Sequence, residues 1–202
     1  MTKIVLATYN RHKALELKTL LSGLDVDILT LGDIPGKIIL REDHDTFAAN
    51  ALQKARMVHD QIKFISLADD SGLEVFYLNG RPGVFSARYA GLKATDEMNN
   101  RKLLQEMRGV PPRRRHAQFR SVLALVGEGM EEVTEGVCPG VLGETPRGTN
   151  GFGYDPIFIP DGFTKTYAEL SAEEKNQISH RAKSFAKMKH VLQRKLALTH
   201  FR

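Results

Sequence analysis

Phe64-Ile65-Ser66-Leu67-Ala68-Asp69-Asp70-Ser71-Gly72 carries an apolar stretch straight into two adjacent carboxylates and a Ser-Gly pair. The apolar residues read as a buried strand. Leu73-Glu74-Val75-Phe76-Tyr77-Leu78 reads as its continuation or its hairpin partner, closed by Asn79-Gly80. Side chains alternate across a strand, so Asp69 and Asp70 serve one site only if the chain bends, and Ser71-Gly72 is the expected bend.

Towards the N-terminus, Ile4-Val5-Leu6-Ala7 is a short apolar run that stops at Thr8-Tyr9-Asn10, after which Leu15, Leu17, Leu20, Leu21 and Leu24 recur at near-helical spacing. Asp45 or Thr46 is the expected N-cap of a second helix, with Phe47, Ala51, Leu52, Ala55 and Val58 on its apolar face and its end near Asp60 to Lys63. Towards the C-terminus, Asp96 to Met107 reads as a third helix. Ala117 to Val126 and Glu131 to Val141 read as long strands around Gly127-Glu128-Gly129. A glycine-rich loop follows from Gly143 to Gly153, then a short strand Ile157-Phe158-Ile159. Ser171 with Glu174 forms a capping box, and the chain is expected to be helical and basic from there to its end. Helices and strands alternate only in the first half. The expected fold is therefore α/β, with a mixed, twisted sheet flanked by helices rather than a purely parallel one. The length fits a single domain over residues 1–202, expected as two lobes around a central cleft.

A chain of 202 residues that is 42% hydrophobic is long enough to bury one core. Its 29 Lys and Arg against 24 Asp and Glu leave +5, which favours anionic ligands without choosing among nucleotide, nucleic acid and membrane. The single Cys138 excludes an internal disulfide framework and a multi-cysteine zinc site, and points to a reducing cytoplasm with that thiol as a buried bystander. The N-terminus lacks the apolar core of a signal peptide, and no run approaches the roughly 20 apolar residues of a membrane span.

Four segments carry residue types suited to chemistry. Thr8-Tyr9-Asn10-Arg11-His12-Lys13 lies between a strand and a helix, where free backbone N–H groups and the positive helix end favour a phosphate; a capped helix start with solvated charges is the plainer reading. No Gly-x-x-x-x-Gly-Lys-Ser/Thr occurs, which argues against a P-loop enzyme. Glu42, Asp69 and Asp70 are hard oxygen donors suited to Mg²⁺. In Gly148-Thr149-Asn150-Gly151-Phe152-Gly153-Tyr154-Asp155-Pro156, glycines flanking an aromatic ring leave a flat face for a nucleobase, and Asp155 can accept from ring N–H groups. Lys175 and Ser179-His180-Arg181, about one helical turn apart, suit a phosphate or base clamp. Arg113-Arg114-Arg115 follows Pro111-Pro112 without aromatic interleaving and reads as an exposed loop rather than a nucleic-acid patch.

In this order and at these separations, the segments resemble the inosine triphosphate pyrophosphatase family, itself related to the Maf-like pyrophosphatases, from Lys3 to about Val191. Ala7 to Lys13 is similar to the family's Thr-x-Asn-x-x-Lys phosphate loop, Ala68 to Leu73 to its central signature, and Ser86-Ala87-Arg88-Tyr89 to its next motif. Gly151 to Pro156 with Ser179-His180-Arg181 is similar to its base-recognition elements. The resemblance implies phosphate binding by Thr8, Asn10, Lys13, Lys54 and Ser71, in a loop that also presents Tyr9, Arg11 and His12. It implies magnesium on Glu42 and Asp70, and a proton acceptor at Asp70 with Asp69 beside it as a second member. Phe152 would stack on the base next to Gly153 and Tyr154, while Asp155, Lys175, His180 and Arg181 read its edge or clamp it. Two positions depart from the family pattern: Ala49 stands where it has glutamate, and Asn150 where it has glycine, a change that need do no more than tighten a turn, since Asn tolerates left-handed backbone.

The expected activity is the Mg²⁺-dependent hydrolysis of non-standard purine nucleoside triphosphates (ITP, dITP, XTP) to the monophosphate and pyrophosphate, in the cytoplasm and with no membrane or stable nucleic-acid partner; a homodimer is what the resemblance implies. The rival enzyme is a Maf-like pyrophosphatase acting on pyrimidine or modified nucleotides; a nucleic-acid-binding module is the rival from another class.

Overall fold

The computed structural model describes residues 2–199, so the last three residues of the expected basic helix lie outside it. β1 (Thr2–Leu6) buries Ile4, Val5 and Leu6 completely and ends where Asn10 caps α1 (Arg11–Leu21), its side-chain oxygen accepting from the N–H groups of His12 and Lys13. β2 (Val26–Thr30) follows and pairs parallel with β1 from Thr2↔Val26 to Leu6↔Thr30. The sequence reading does not contain this strand, because Asp25 and Asp27 interrupt its short apolar pattern.

Thr46 is the N-cap of α2 (Phe47–Ile62), which stops where Lys63 adopts φ 58°. β3 (Ile65–Val75) then runs parallel to β1, with Ile4 opposite Ile65 and Leu6 opposite Leu67. β3 is one continuous strand through Ser71 and Gly72, so the bend expected there does not occur and Leu73 to Val75 is the continuation rather than a hairpin partner. α3 (Asp96–Glu106), capped by Thr95, precedes the long strands β4 (His116–Gly127) and β5 (Met130–Leu142), and β6 (Phe158–Pro160) pairs antiparallel with β5. Gly140 faces Pro160 there, and a Cβ on it would lie 2.3 Å from the Ile159 carbonyl oxygen, so only glycine fits. The strand order is β2-β1-β3-β4-β5-β6, a mixed sheet flanked by helices.

The C-terminal helix is broken in two. α4 (Ala172–Ile178) starts at the Ser171–Glu174 capping box, and extended backbone at Ser179 (ψ 157°) separates it from α5 (His180–Thr199). The even helical pattern of the sequence hides this break.

The chain forms two compact units: Met1–Asp70, Ser121–Gly136 and Arg181–Arg202 in one, Ser71–Arg120 and Val137–His180 in the other. The first has its core where Ile4, Leu6, Leu17, Leu21, Leu67, Leu123, Leu125, Phe185 and Met188 meet. The second is built on Leu73, Val75, Leu103, Met107, Phe119, Ile157, Phe158 and Tyr167, with Cys138 buried among them. Arg115 is also buried in the second unit, donating to the carbonyls of Met107, Leu142 and Gly143; this corrects the exposed-loop reading for that arginine, while Arg113 and Arg114 are exposed.

Candidate active site

Because β3 does not bend, Asp69 and Asp70 have different partners. In the first unit Lys54, buried on α2, places its ammonium 2.8 Å from Asp70 Oδ1, 2.6 Å from Glu42 Oε1 and 2.9 Å from the Asp69 carbonyl oxygen. An ammonium has three protons, and these three acceptors take them all. Asp70 Oδ2 is buried and has no hydrogen-bond partner among the described residues. Two carboxylates share one ammonium, so the cluster holds its protons tightly. Burial raises the Asp70 carboxyl, Lys54 and Lys13 pull it down, and Glu42 helps to leave it above its ordinary value. Lys54 is also raised, as the charges of Asp70 and Glu42 outweigh its burial.

Asp69 is wholly buried and ion-paired. Its Oδ2 lies 2.9 Å from the Lys13 ammonium and 3.5 Å from Arg181 Nε, and its Oδ1 accepts from Ser121 Oγ at 2.7 Å. Burial would raise this carboxyl, but Lys13 first, then Arg181 and the hydrogen bonds from Lys13 and Ser121, hold it far below the usual carboxylate range. Arg181 reaches Glu16 Oε2 as well, at 2.8 Å.

Around the phosphate loop, Thr8 Oγ1 accepts from the Asn10 N–H and the exposed Tyr9 donates to the Ile38 carbonyl. Arg11 and His12 are exposed at the start of α1. The amide of Asn10 already caps the N–H groups of His12 and Lys13, so the capped-helix reading holds for that side chain, whereas Lys13 is no solvated charge.

The second unit groups the aromatic side of the predicted site. Asp155 Oδ2 accepts from Lys175 Nζ at 2.7 Å and from the Phe152 N–H at 3.0 Å. Lys175 also lies over the Phe152 ring, 5.1 Å from its centroid, and over Tyr167 at 5.5 Å. His180 stacks on Phe119, with centroids 4.7 Å apart and planes 10° from parallel. Gly153 (φ 64°) receives a hydrogen bond from Asn100 and gives one to Asp96. A cavity of about 810 Å³ is lined by Phe152, Gly153, the α3 residues Asn100 and Leu104, and Arg108 just after that helix.

Several predicted residues are engaged by other parts of the chain. Tyr154 is buried, with its hydroxyl donating to the Ser86 carbonyl and its ionisation pushed up by burial. Asn150 is not left-handed; it donates to the Leu170 carbonyl, which corrects the turn reading. Arg181, read as a partner of His180 on the base, has Asp69 and Glu16 as partners in the first unit. Ser71 follows Asp70 on β3, half-buried. The sequence reading missed Ser121, Ser184 and Glu16. A serine at the start of the apolar run Val122-Leu123-Ala124-Leu125-Val126 was the only local sign of the first.

The Ham1 family profile matches residues 4–191. The chain is 46% identical over 194 residues to a dITP/XTP pyrophosphatase of Thermoanaerobacter sp. (strain X514), covering 96% of this chain and 98% of that one. It is 46% identical over 190 residues to a protein of the same name from Geobacter sulfurreducens, covering 94% and 96%. Among solved structures, the Ham1 protein of Staphylococcus aureus superposes with a TM-score of 0.87 at 37% identity, covering 96% of this chain and 100% of that one. A HAM1 protein from Coxiella burnetii gives 0.87 at 40%, with the same coverage.

Proposed function

The chain belongs to the Ham1 family, and from that premise we propose that it is a nucleoside triphosphate pyrophosphatase, with residues 1–202 as one catalytic domain. It hydrolyses non-standard purine nucleoside triphosphates such as dITP, XTP and ITP to the monophosphate and pyrophosphate. The observation that carries the chemistry is Asp70: one carboxylate oxygen on Lys54, the other buried without a partner.

A divalent cation fits these residues. The unpartnered Asp70 Oδ2 and the nearby Glu42 carboxylate are hard oxygen donors joined through one ammonium, and Glu42 with Asp70 would hold Mg²⁺. When bound, the ion neutralises phosphate charge and polarises a phosphoryl oxygen. Asp70 orients and deprotonates the water that attacks the α-phosphorus. Asp69 is not the base, since its two oxygens are engaged by Ser121, Lys13 and Arg181. Lys54 holds the two metal-binding carboxylates together, and Lys13 and Arg181 supply positive charge for the triphosphate.

Phe152 stacks on the base, and Lys175, fixed by Asp155, donates to the keto oxygen at the six-position of hypoxanthine or xanthine; His180 completes this side. An amino group there would meet a donor instead of an acceptor, which disfavours adenine. The relatives' purine names favour this reading over a Maf-like pyrimidine enzyme. Burial of Arg115 removes part of the basic loop a nucleic-acid module would use. A homodimer in a reducing cytoplasm belongs to the same proposal; no helix among the described residues is long and apolar enough to cross a membrane.

The test is kcat/KM for dITP, XTP, dATP, dGTP and dCTP with Mg²⁺ and after chelation. We expect dITP and XTP to exceed dATP and dCTP by at least about 100-fold, and chelation to abolish turnover. Equal rates on dCTP would overturn the assignment.

A further inference from the structure

Asp69 is held by more than its cations. Ser121 on β4 donates to Asp69 Oδ1 at 2.7 Å, and its oxygen lies 3.0 Å from Ser184 Oγ on α5. Ser184 Oγ in turn lies 3.0 Å from the Arg181 carbonyl oxygen, and the Thr134 hydroxyl on β5 donates to the Ser184 carbonyl at 2.9 Å. Both serines are fully buried, and every group named belongs to the first unit.

Proton counting gives the network a direction. The Asp69 carboxylate accepts only, so the one proton of Ser121 goes to it, and Ser121 can then only accept from Ser184. Ser184 divides its own proton between Ser121 Oγ and the Arg181 carbonyl, as a three-centre bond. With Oδ1 fixed in this way, the plane of the carboxylate is fixed, and Oδ2 is aimed at Lys13 and Arg181. Lys and Arg side chains are long and rich in rotamers, so ordering them is costly. Holding both before substrate arrives removes an ordering cost from binding.

We propose that Ser121 and Ser184 are positioning residues for the pyrophosphatase reaction: through Asp69 they fix Lys13 and Arg181 where the triphosphate binds. The proposal rests on the reading that those two cations meet the triphosphate. Neither serine touches substrate. Their effect appears in binding and is transmitted by one carboxylate.

The experiment measures KM and kcat for dITP with Ser121→Ala, Ser184→Ala and the pair, together with the affinity of each protein for inorganic tripolyphosphate by calorimetry and its melting temperature. Ser121→Ala is expected to raise KM and the tripolyphosphate Kd about 10-fold while kcat stays within about threefold, and Ser184→Ala to raise them about threefold. The pair should match Ser121→Ala within about twofold, because the two serines act on the same oxygen. In an Asp69→Asn background, Ser121→Ala should add less than twofold. A melting temperature that falls with KM and Kd unchanged would overturn the proposal, as would an effect of Ser121→Ala that persists in full beside Asp69→Asn. If Ser121→Ala fails to fold, Ser184→Ala is read by the same criteria. Wild-type protein that neither binds tripolyphosphate nor turns over dITP would instead defeat the functional reading beneath it.

Discussion

The two units solve the burial of charge in different ways. In the first, two carboxylates share one ammonium at Glu42, Lys54 and Asp70, and an oxygen of Asp70 is left over. In the second, Asp155 and Lys175 form a single pair, 2.7 Å apart, against the rings of Phe152 and Tyr167. The first arrangement carries excess negative charge and an uncommitted acceptor, which suits a metal and a water to be deprotonated. The second is neutral and flat-walled, which suits a purine whose edge offers a keto group. In the proposed function, excess charge goes with the chemistry and a balanced pair among rings with recognition.

The sharpest way to break this contrast is Asp70→Asn, which keeps the shape and removes the charge. kcat should fall about 1,000-fold, within the range for losing a general base, with the melting temperature little changed. Retention of a tenth of the activity would move the base elsewhere.

Asp69→Asn should act on stability and on triphosphate binding rather than on kcat. It leaves the partly buried Lys13 and the buried Arg181 without their common anion, at a cost of about 3 kcal/mol in denaturant unfolding. The carboxyl is held below its unfolded value, so its contribution is complete above about pH 4 and is lost progressively as pH falls below that. The variant should therefore have a flatter acid limb in its stability curve, and an unchanged limb would remove Asp69 as the anchor.

In the second unit, Lys175→Met should weaken discrimination between dITP and dATP by about 10- to 100-fold in relative kcat/KM, leaving the rate on dITP less affected than Asp70→Asn does. A preserved ratio would show that another group reads the six-position. The smallest effect belongs to Ser171→Ala. Loss of this cap on α4, the helix that carries Lys175, should cost about 1 kcal/mol of stability with turnover intact.

How much of this was legible in the sequence follows from the range of the signals. Caps are local, so Thr46 and the Ser171–Glu174 box stand where the residue pattern puts them. The period of a strand is local too, and it separates Asp69 from Asp70 once β3 is known to run straight. β2 was hidden because five residues containing Asp27 give no clear alternation, and its partner β1 is what defines it. The break at Ser179 has neither glycine nor proline to announce it. The serine network was out of reach, since Ser121 meets Asp69 across 52 positions and Ser184 across 63. Long-range pairing of small polar residues inside an apolar core has no local signature.

In the proposed reaction the charged cluster of the first unit directs water to the α-phosphorus. Hydrolysis of dITP in ¹⁸O-enriched water, with the products resolved by mass spectrometry, tests it directly. Attack at the α-phosphorus puts one labelled oxygen in the nucleoside monophosphate and none in the pyrophosphate; label in pyrophosphate, or release of labelled orthophosphate, would rule that attack out.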